Sequence, residues 1–282
     1  LKQFGKSKHN WLSAMTTPNS SLNITTASRT PIFLRIGLTV LLFIFLTSVW
    51  MVWLSKVKLG SFPEIIFLSE ALVIFLLSPI LTCCQQNLIG SNSLICLPRH
   101  QWCRFLLDLL GKRLIGLWCA ICISSLIWLI VHWTTDVLTI LSFQVLLLHL
   151  TLAIFAFTGG VSGIFGQYFF RSHQQIRFVS AVQPAIVWWG FLILSPFFLI
   201  PLDRYLTDLQ PVIPYFLHLN PLVAICQLLE HDIFRTPYLY RILPVASYHF
   251  VYPPWWVICG WQILLAVVIL CFIEQNNEQD VG

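Results

Sequence analysis

Charge is what this sequence has least of. Asp, Glu, Lys and Arg make up only 10% of its 282 residues, whereas 57% are hydrophobic. A soluble domain carries about 25% charged residues to coat its surface. A chain this poor in charge cannot cover itself in water, so lipid must be the solvent for much of it. Nor is there room for a separate soluble domain, because apolar runs extend from Ile32 to Ile273. Two catalytic signatures are missing as well. Gly5-Lys6-Ser7 resembles the end of a phosphate-binding loop, but the earlier glycine is absent and no strand precedes it. The zinc-protease pattern His-Glu-x-x-His does not occur. The chain is therefore expected not to be an enzyme in its own right and to hold no metal.

The nine cysteines do not form a disulfide or metal framework. Cys119, Cys122, Cys259 and Cys271 fall inside apolar runs, where cysteine behaves as a small hydrophobe. Cys119 and Cys122 are one helical turn apart, but the further ligands a metal site needs are not beside them. His132 and His149 lie in or near apolar runs. Without an evident partner they read as hydrogen-bonded members of a bundle rather than as ligands.

A membrane-spanning helix needs about 20 apolar residues at about 1.5 Å each. Six such runs are present: 32–55, 65–84, 114–133, 137–165, 178–202 and 255–273. Residues 1–30 are polar and read as a cytoplasmic tail rather than a secretory signal, since the apolar run begins late and no small-residue cleavage site follows it. Residues 274–282 read as an acidic cytoplasmic tail. The stretch 203–254 fits neither a span nor a simple loop. Its apolar run, 212–229, is broken by His218, Asn220 and Pro221, and proline inside a helix removes a donor and clashes with the preceding turn. It is expected to form a short re-entrant helical pair on the outer side, meeting near Asn220-Pro221, with Asn220 capping the second helix.

Orientation follows from Lys and Arg. With six spans, one side collects Lys2, Lys6, Lys8, Arg29, Arg35, Arg99, Arg104, Lys112, Arg113, Arg171 and Arg177. The other holds Lys56, Lys58, Arg204, Arg235 and Arg241. Eleven against five places both termini in the cytoplasm. The Asn-x-Ser/Thr triplets at Asn19 and Asn23 would then face away from the glycosylation machinery.

Two intramembrane features stand out. Glu70 is the one clear acid within a span, and inserting it costs at least about 2.5 kcal/mol. It is expected to face the bundle interior, as a structural acceptor or on a substrate route, and no base stands at an obvious partner position. Gly160-Val161-Ser162-Gly163 resembles the serine motif of rhomboid proteases, but the later spans supply no histidine to activate the serine. The better reading is a small-residue face, with Gly159, Gly160, Ser162 and Gly163 letting helices pack closely.

The order of these elements resembles the ABC-2-type permease family, the membrane subunits of type 2 ABC exporters. Four stretches carry the resemblance: Phe75-Leu-Leu-Ser-Pro79-Ile-Leu-Thr82; Leu94-Ile-Cys-Leu-Pro98 followed by Arg104–Lys112; Gly159–Arg171; and Leu219-Asn220-Pro221-Leu222. It implies an all-α permease domain of six spans over 31–273. It further implies a separate ATP-binding ABC subunit docked on the cytoplasmic loops, with ATP and Mg held there, and a second permease copy or paralogue in the bilayer. No nucleic-acid partner is expected. The coupling segment would be 92–105, with Trp102 and Phe105 as anchors and Arg99 and Arg104 at the rim. Where the family carries acids just after the second span, this chain has Gln85-Gln86-Asn87-Leu88-Ile89-Gly90. That departure keeps an alternative open: a permease-like structural subunit of a larger complex without transport activity.

The charge asymmetry has a direct test. In a cysteine-free variant carrying a single cysteine at position 100, a membrane-impermeant thiol reagent is expected to label only after the cytoplasmic face is opened. Labelling from outside intact cells would reverse the topology.

Overall fold

The computed structural model describes residues 32–58, 62–84, 99–134, 142–169, 177–206, 208–243, 248 and 250–279. Ten α-helices account for most of them, and no strand occurs among the described residues. Five are long: α1 (Ile32–Lys56), α2 (Phe62–Cys84), α3 (Arg99–Thr134), α4 (Ser142–Phe169) and α10 (Trp255–Gln279). A sixth long apolar segment is compound. α5 (Arg177–Leu194) passes through a 3-10 turn at Ser195–Phe198 into α6 (Leu199–Tyr205). Six segments, Ile32–Lys56, Pro63–Thr82, Leu110–Ile130, Phe143–Gly166, Ala185–Tyr205 and Trp255–Ile273, are long and apolar enough to cross a membrane. The protein is an all-α, multi-pass membrane protein of six spans.

The boundaries differ from the sequence reading at several points: α3 begins at Arg99, well before the expected span start at 114, and α10 continues through Gln279 into the expected acidic tail 274–282. The fourth span was expected from residue 137, but its helix begins at Ser142, and 135–141 lie outside the described residues. The fifth is not one helix to Leu202. Pro196 enters the ladder at Ser195–Phe198, and the chain tightens to 3-10 geometry there before resuming as α6.

The centre of the bundle is α2. Its apolar window is 83% buried, against 17% for α1. Phe67, Ala71, Val73 and Ile74 are fully enclosed. α1 instead shows Phe33, Leu38, Leu41 and Phe45 to the outside, which suits a helix solvated by lipid. Pro63 sits in the first turn of α2, where a missing N–H costs nothing, and Glu64 is placed at the positive end of the helix dipole.

Contacts fix the helix directions. Along α2 and α4, Ser78 faces Gly159 and Thr82 faces Gly163, so the two run parallel. Thr151 meets Cys259, and Phe165 meets Phe272, so α10 runs parallel to α4. Arg113 of α3 reaches the Thr82 carbonyl of α2, and Ser124 reaches Glu70, so α3 is antiparallel to α2.

The α2–α4 seam is close because α4 lacks side chains there. A methyl group placed on Gly163 would lie 2.7 Å from the Pro79 carbonyl oxygen and 3.0 Å from its Cα, and one on Gly159 would strike Ser78. Without a hydrophobic force between helices in lipid, such close packing is the main source of association. Gly190, by contrast, has open space where a Cβ would stand. Gly163→Ala is therefore expected to destabilise the bundle by about 1–3 kcal/mol, because backbone must move. Gly190→Ala should stay within about 0.5 kcal/mol of the parent or improve slightly on it. Equilibrium unfolding of both variants in mixed detergent micelles measures the contrast.

Candidate functional site

Three regions of the bundle concentrate polar groups or open space. The first lies between α2, α4, α5 and the break at Asn220. The short helices α7 (Ile213–Leu219) and α8 (Pro221–Leu228) meet there, with Asn220 in extended conformation between them. At seven and eight residues they are only about 10–12 Å long. Pro221 occupies the first position of α8, and the Asn220 side chain accepts from the Leu222 N–H at 2.9 Å. Its amide also donates to the Ile193 carbonyl of α5 at 3.1 Å, just before the 3-10 turn. Asn220 is fully packed, so one side chain both starts α8 and satisfies a carbonyl at the end of α5. In the 3-10 turn, the Ser195 hydroxyl is shared between the Leu192 and Phe216 carbonyls.

A small, partly open cavity of about 20 Å³ adjoins this junction, enough for one water molecule. Phe75, Pro79, Gly159, Ser162, Trp189 and Pro221 are among the residues around it. Three segments distant in sequence converge here: Phe75–Thr82, the glycine face of α4, and Asn220-Pro221. The Ser162 hydroxyl donates to the Gly159 carbonyl of its own helix at 2.7 Å. Pro79 cannot donate to the ladder, so the Phe75 carbonyl has no i+4 partner. Downstream, Thr82 donates to the Pro79 carbonyl at 2.9 Å, and the buried Arg113 guanidinium donates to the Thr82 carbonyl. A cation on the last turn of α2 complements the negative end of its dipole.

The second region surrounds Glu70. The sequence offered it no base, and the fold supplies one. His149 of α4 places Nε2 3.7 Å from Glu70 Oε2, with both side chains buried. Ser124 of α3 donates to Glu70 Oε1. Phe67 lies between the ring systems, with its centroid 5.2 Å from that of Trp128 and 5.7 Å from that of His149. No sequence signal pointed to this pair: the expected spans placed the two residues at different depths, whereas in the fold Glu70 is eight residues into α2 and His149 seven into α4, about 12 and 10 Å along parallel helices.

The third region is at the far end of the bundle, beyond α8. Glu230 adopts a left-handed φ of 53°, and the His231 N–H bonds the Cys226 carbonyl at 2.9 Å. This closes α8 in the way glycine usually does. Asp232 accepts from Tyr252 Oη at 2.6 Å and pairs with Arg235 at 3.1 Å. Burial and the adjoining Asp232 carboxylate hold the Tyr252 phenol above its ordinary value, so it remains a donor throughout the physiological range. Phe234, Phe250 and Tyr252 pack on one another with centroids 5.3–6.0 Å apart. The Gln227 side chain accepts the Trp255 N–H at 3.1 Å and so covers an orphan donor at the start of α10.

The residues expected to couple to a partner stand differently. Arg99, Trp102, Arg104 and Phe105 lie on α3, whose helix runs without a break from Arg99 into the span. Their side chains, and residues 92–98, fall outside the described residues, as do the stretch 85–90, Phe170-Arg171, the tail 1–30 and residues 280–282. Among the described residues no group of three metal-ligating side chains occurs. Compared with family models, curated proteins and solved structures, the chain matches none.

Asn220 allows its two roles to be separated. Asn220→Ala loses both the cap and the bond to Ile193 and is expected to cost about 1–2 kcal/mol. Asn220→Ser keeps a neutral capping oxygen but lacks the amide that reaches Ile193, so it should fall between Ala and the parent in the same unfolding measurement. Equal losses for Ala and Ser would place the whole effect on the Ile193 bond.

Proposed function

We propose that this chain is the membrane-spanning permease subunit of an ABC exporter of the ABC-2 type, powered by a separate ATPase on its cytoplasmic side. The observation that carries the reading is the convergence at the central cavity. Three of the four stretches that resemble the family, around Pro79, Gly159–Gly163 and Asn220-Pro221, pack against one another although about 60 to 80 residues separate them. Shared packing gives their shared order a physical reason.

On this reading both termini are cytoplasmic, and α7 and α8 dip into the outer half of the bundle and return. The parallel course of α4 and α10 supports that placement, since one crossing by α5 and α6 already restores the direction. The shortness of α7 and α8 agrees with it. α3 is 36 residues long, about 54 Å, whereas its apolar window starts only at Leu110. Its first turns therefore project from the membrane as a rigid extension bearing Arg99, Trp102, Arg104 and Phe105. That extension is the docking element for the ATPase. A second permease copy or paralogue completes the transporter, and the glycine seam is the joint along which α2 and α4 change their packing.

The stretch 85–90, without the acids of the family, favours a second reading: a permease-like structural subunit of a larger membrane complex. Isolation of the intact assembly from native membranes separates the two. Two permease chains with two ATPase chains are expected. In that assembly Trp102→Ala should lower ATP hydrolysis at least about tenfold while leaving the permease in the membrane, as loss of a central aromatic anchor does. A stable assembly holding this chain and no nucleotide-binding subunit would overturn the transporter reading.

A further inference from the structure

Glu70 and His149 pose a hydrogen-bonding problem that only a proton solves. His149 Nδ1 lies 2.8 Å from the Val145 carbonyl oxygen. A carbonyl can only accept, so Nδ1 carries a hydrogen. In the neutral ring Nε2 is then a bare acceptor. It faces Glu70 Oε2 at 3.7 Å. An ionised carboxylate oxygen is also a bare acceptor. Both atoms are buried, and neither meets a hydrogen-bond partner among the described residues. Two lone pairs confronting each other inside an apolar bundle would be repulsive, and the carboxylate would be an uncompensated charge.

We propose that Glu70 and His149 form an intramembrane proton-binding site that holds one proton between Oε2 and Nε2. Two arrangements satisfy it once a small side-chain rotation closes the 3.7 Å separation to hydrogen-bond length: a carboxylic acid donating to the imidazole, or an imidazolium donating to the carboxylate. Each carries one proton on the facing atoms and no net charge, and each gives both orphan atoms a partner. The site ties α2 to α4, and through Ser124 also to α3. It does not depend on the transporter reading, because its evidence is local geometry.

The surrounding helices bring no competing charge. The buried face of α1 holds Thr39, Phe43, Thr47 and Leu54. α3 offers Ser124 and Trp128. α10 offers the thiol of Cys259, which is turned to Thr151 at 3.9 Å. The described side chains of α5 include no ionisable group, and the one such group of α8 is the thiol of Cys226. On α2 itself, Glu64 is six residues away and pairs with His231 at 3.9 Å. The remaining buried charge among the described residues is Arg113, bound at Thr82, twelve residues or about 18 Å from Glu70 along α2.

Proton counting yields the test. Unfolded, glutamate and histidine titrate near about 4.3 and 6.5. Between those values the unfolded pair also carries one proton, so the site adds no pH dependence. Above about 6.5 the unfolded pair carries none while the folded site keeps one, so stability falls as pH rises. Below about 4.3 the unfolded pair carries two, and stability falls as pH drops. Glu70→Gln, whose amide can donate to Nε2, needs no proton. Its folded histidine is neutral, so stability falls only below about 6.5 and this pair gives no alkaline limb.

The full chain, wild type and variants, would be unfolded reversibly in mixed detergent micelles across this pH range. Other titrating groups are common to all and cancel in ratios. The ratio of wild-type to Glu70→Gln unfolding constants is expected to rise about hundredfold between about pH 5.5 and 7.5. A contact that binds no proton would leave this ratio independent of pH, and that result would overturn the proposal. If that variant fails to fold, Glu70→Ala, whose folded histidine is likewise neutral, is expected to give the same rise of about hundredfold, and a pH-independent ratio there would overturn the proposal equally.

Discussion

The α2–α4 seam is the constraint on which the rest of the bundle depends. In lipid an apolar side chain gains nothing by leaving its solvent, so helices associate through close contact and through polar groups that must be satisfied. Gly159, Gly160 and Gly163 remove the side chains that would hold α4 away, and Ser78, Pro79 and Thr82 fill the space. With α2 drawn in at that point, Glu70 comes into line with His149 several turns away, and the cavity opens between Pro79, Ser162 and Pro221. Widening the seam would separate both.

Around this seam polar side chains take up backbone carbonyls near the interruptions of the helical ladders. Pro79 removes a donor from α2, and further along that helix Thr82 bonds the Pro79 carbonyl and Arg113 the Thr82 carbonyl. Pro196 interrupts the fifth span, and Ser195 and Asn220 take up the carbonyls of Leu192, Phe216 and Ile193. Gln227 covers the first donor of α10. In a bilayer an unpaired backbone group costs several kcal/mol, so these small polar residues are what permits a broken helix pair in the bundle.

The same economy makes the polar sites informative. A protein that is 10% charged and buries a glutamate and a histidine face to face has placed them against a strong penalty. On the proposed reading the proton site and the cavity bind opposite stretches of one seam, so protonation and helix packing act on the same joint. The far-end cluster of Asp232, Tyr252 and Arg235 is different: it is partly open to solvent and anchors the loop before α10.

Composition and patterning by themselves determined the class, the number of spans and the place where the chain breaks. Solvent dictates those features: 20 apolar residues must be a helix in lipid, and Asn-Pro must start one. The small-residue face at Gly159–Gly163 was legible for the same reason, since close approach demands missing side chains. Only the tertiary structure decided what these features meet. Glu70 and His149 are 79 positions apart, and no spacing rule links them; their partnership depends on α2 and α4 being parallel, adjacent and in matching register. The partners at the break near Pro196 are likewise set by packing: Ile193 meets Asn220, and Ser195 meets Phe216. Local sequence fixes which groups need partners, while the packing of helices fixes which partners they find.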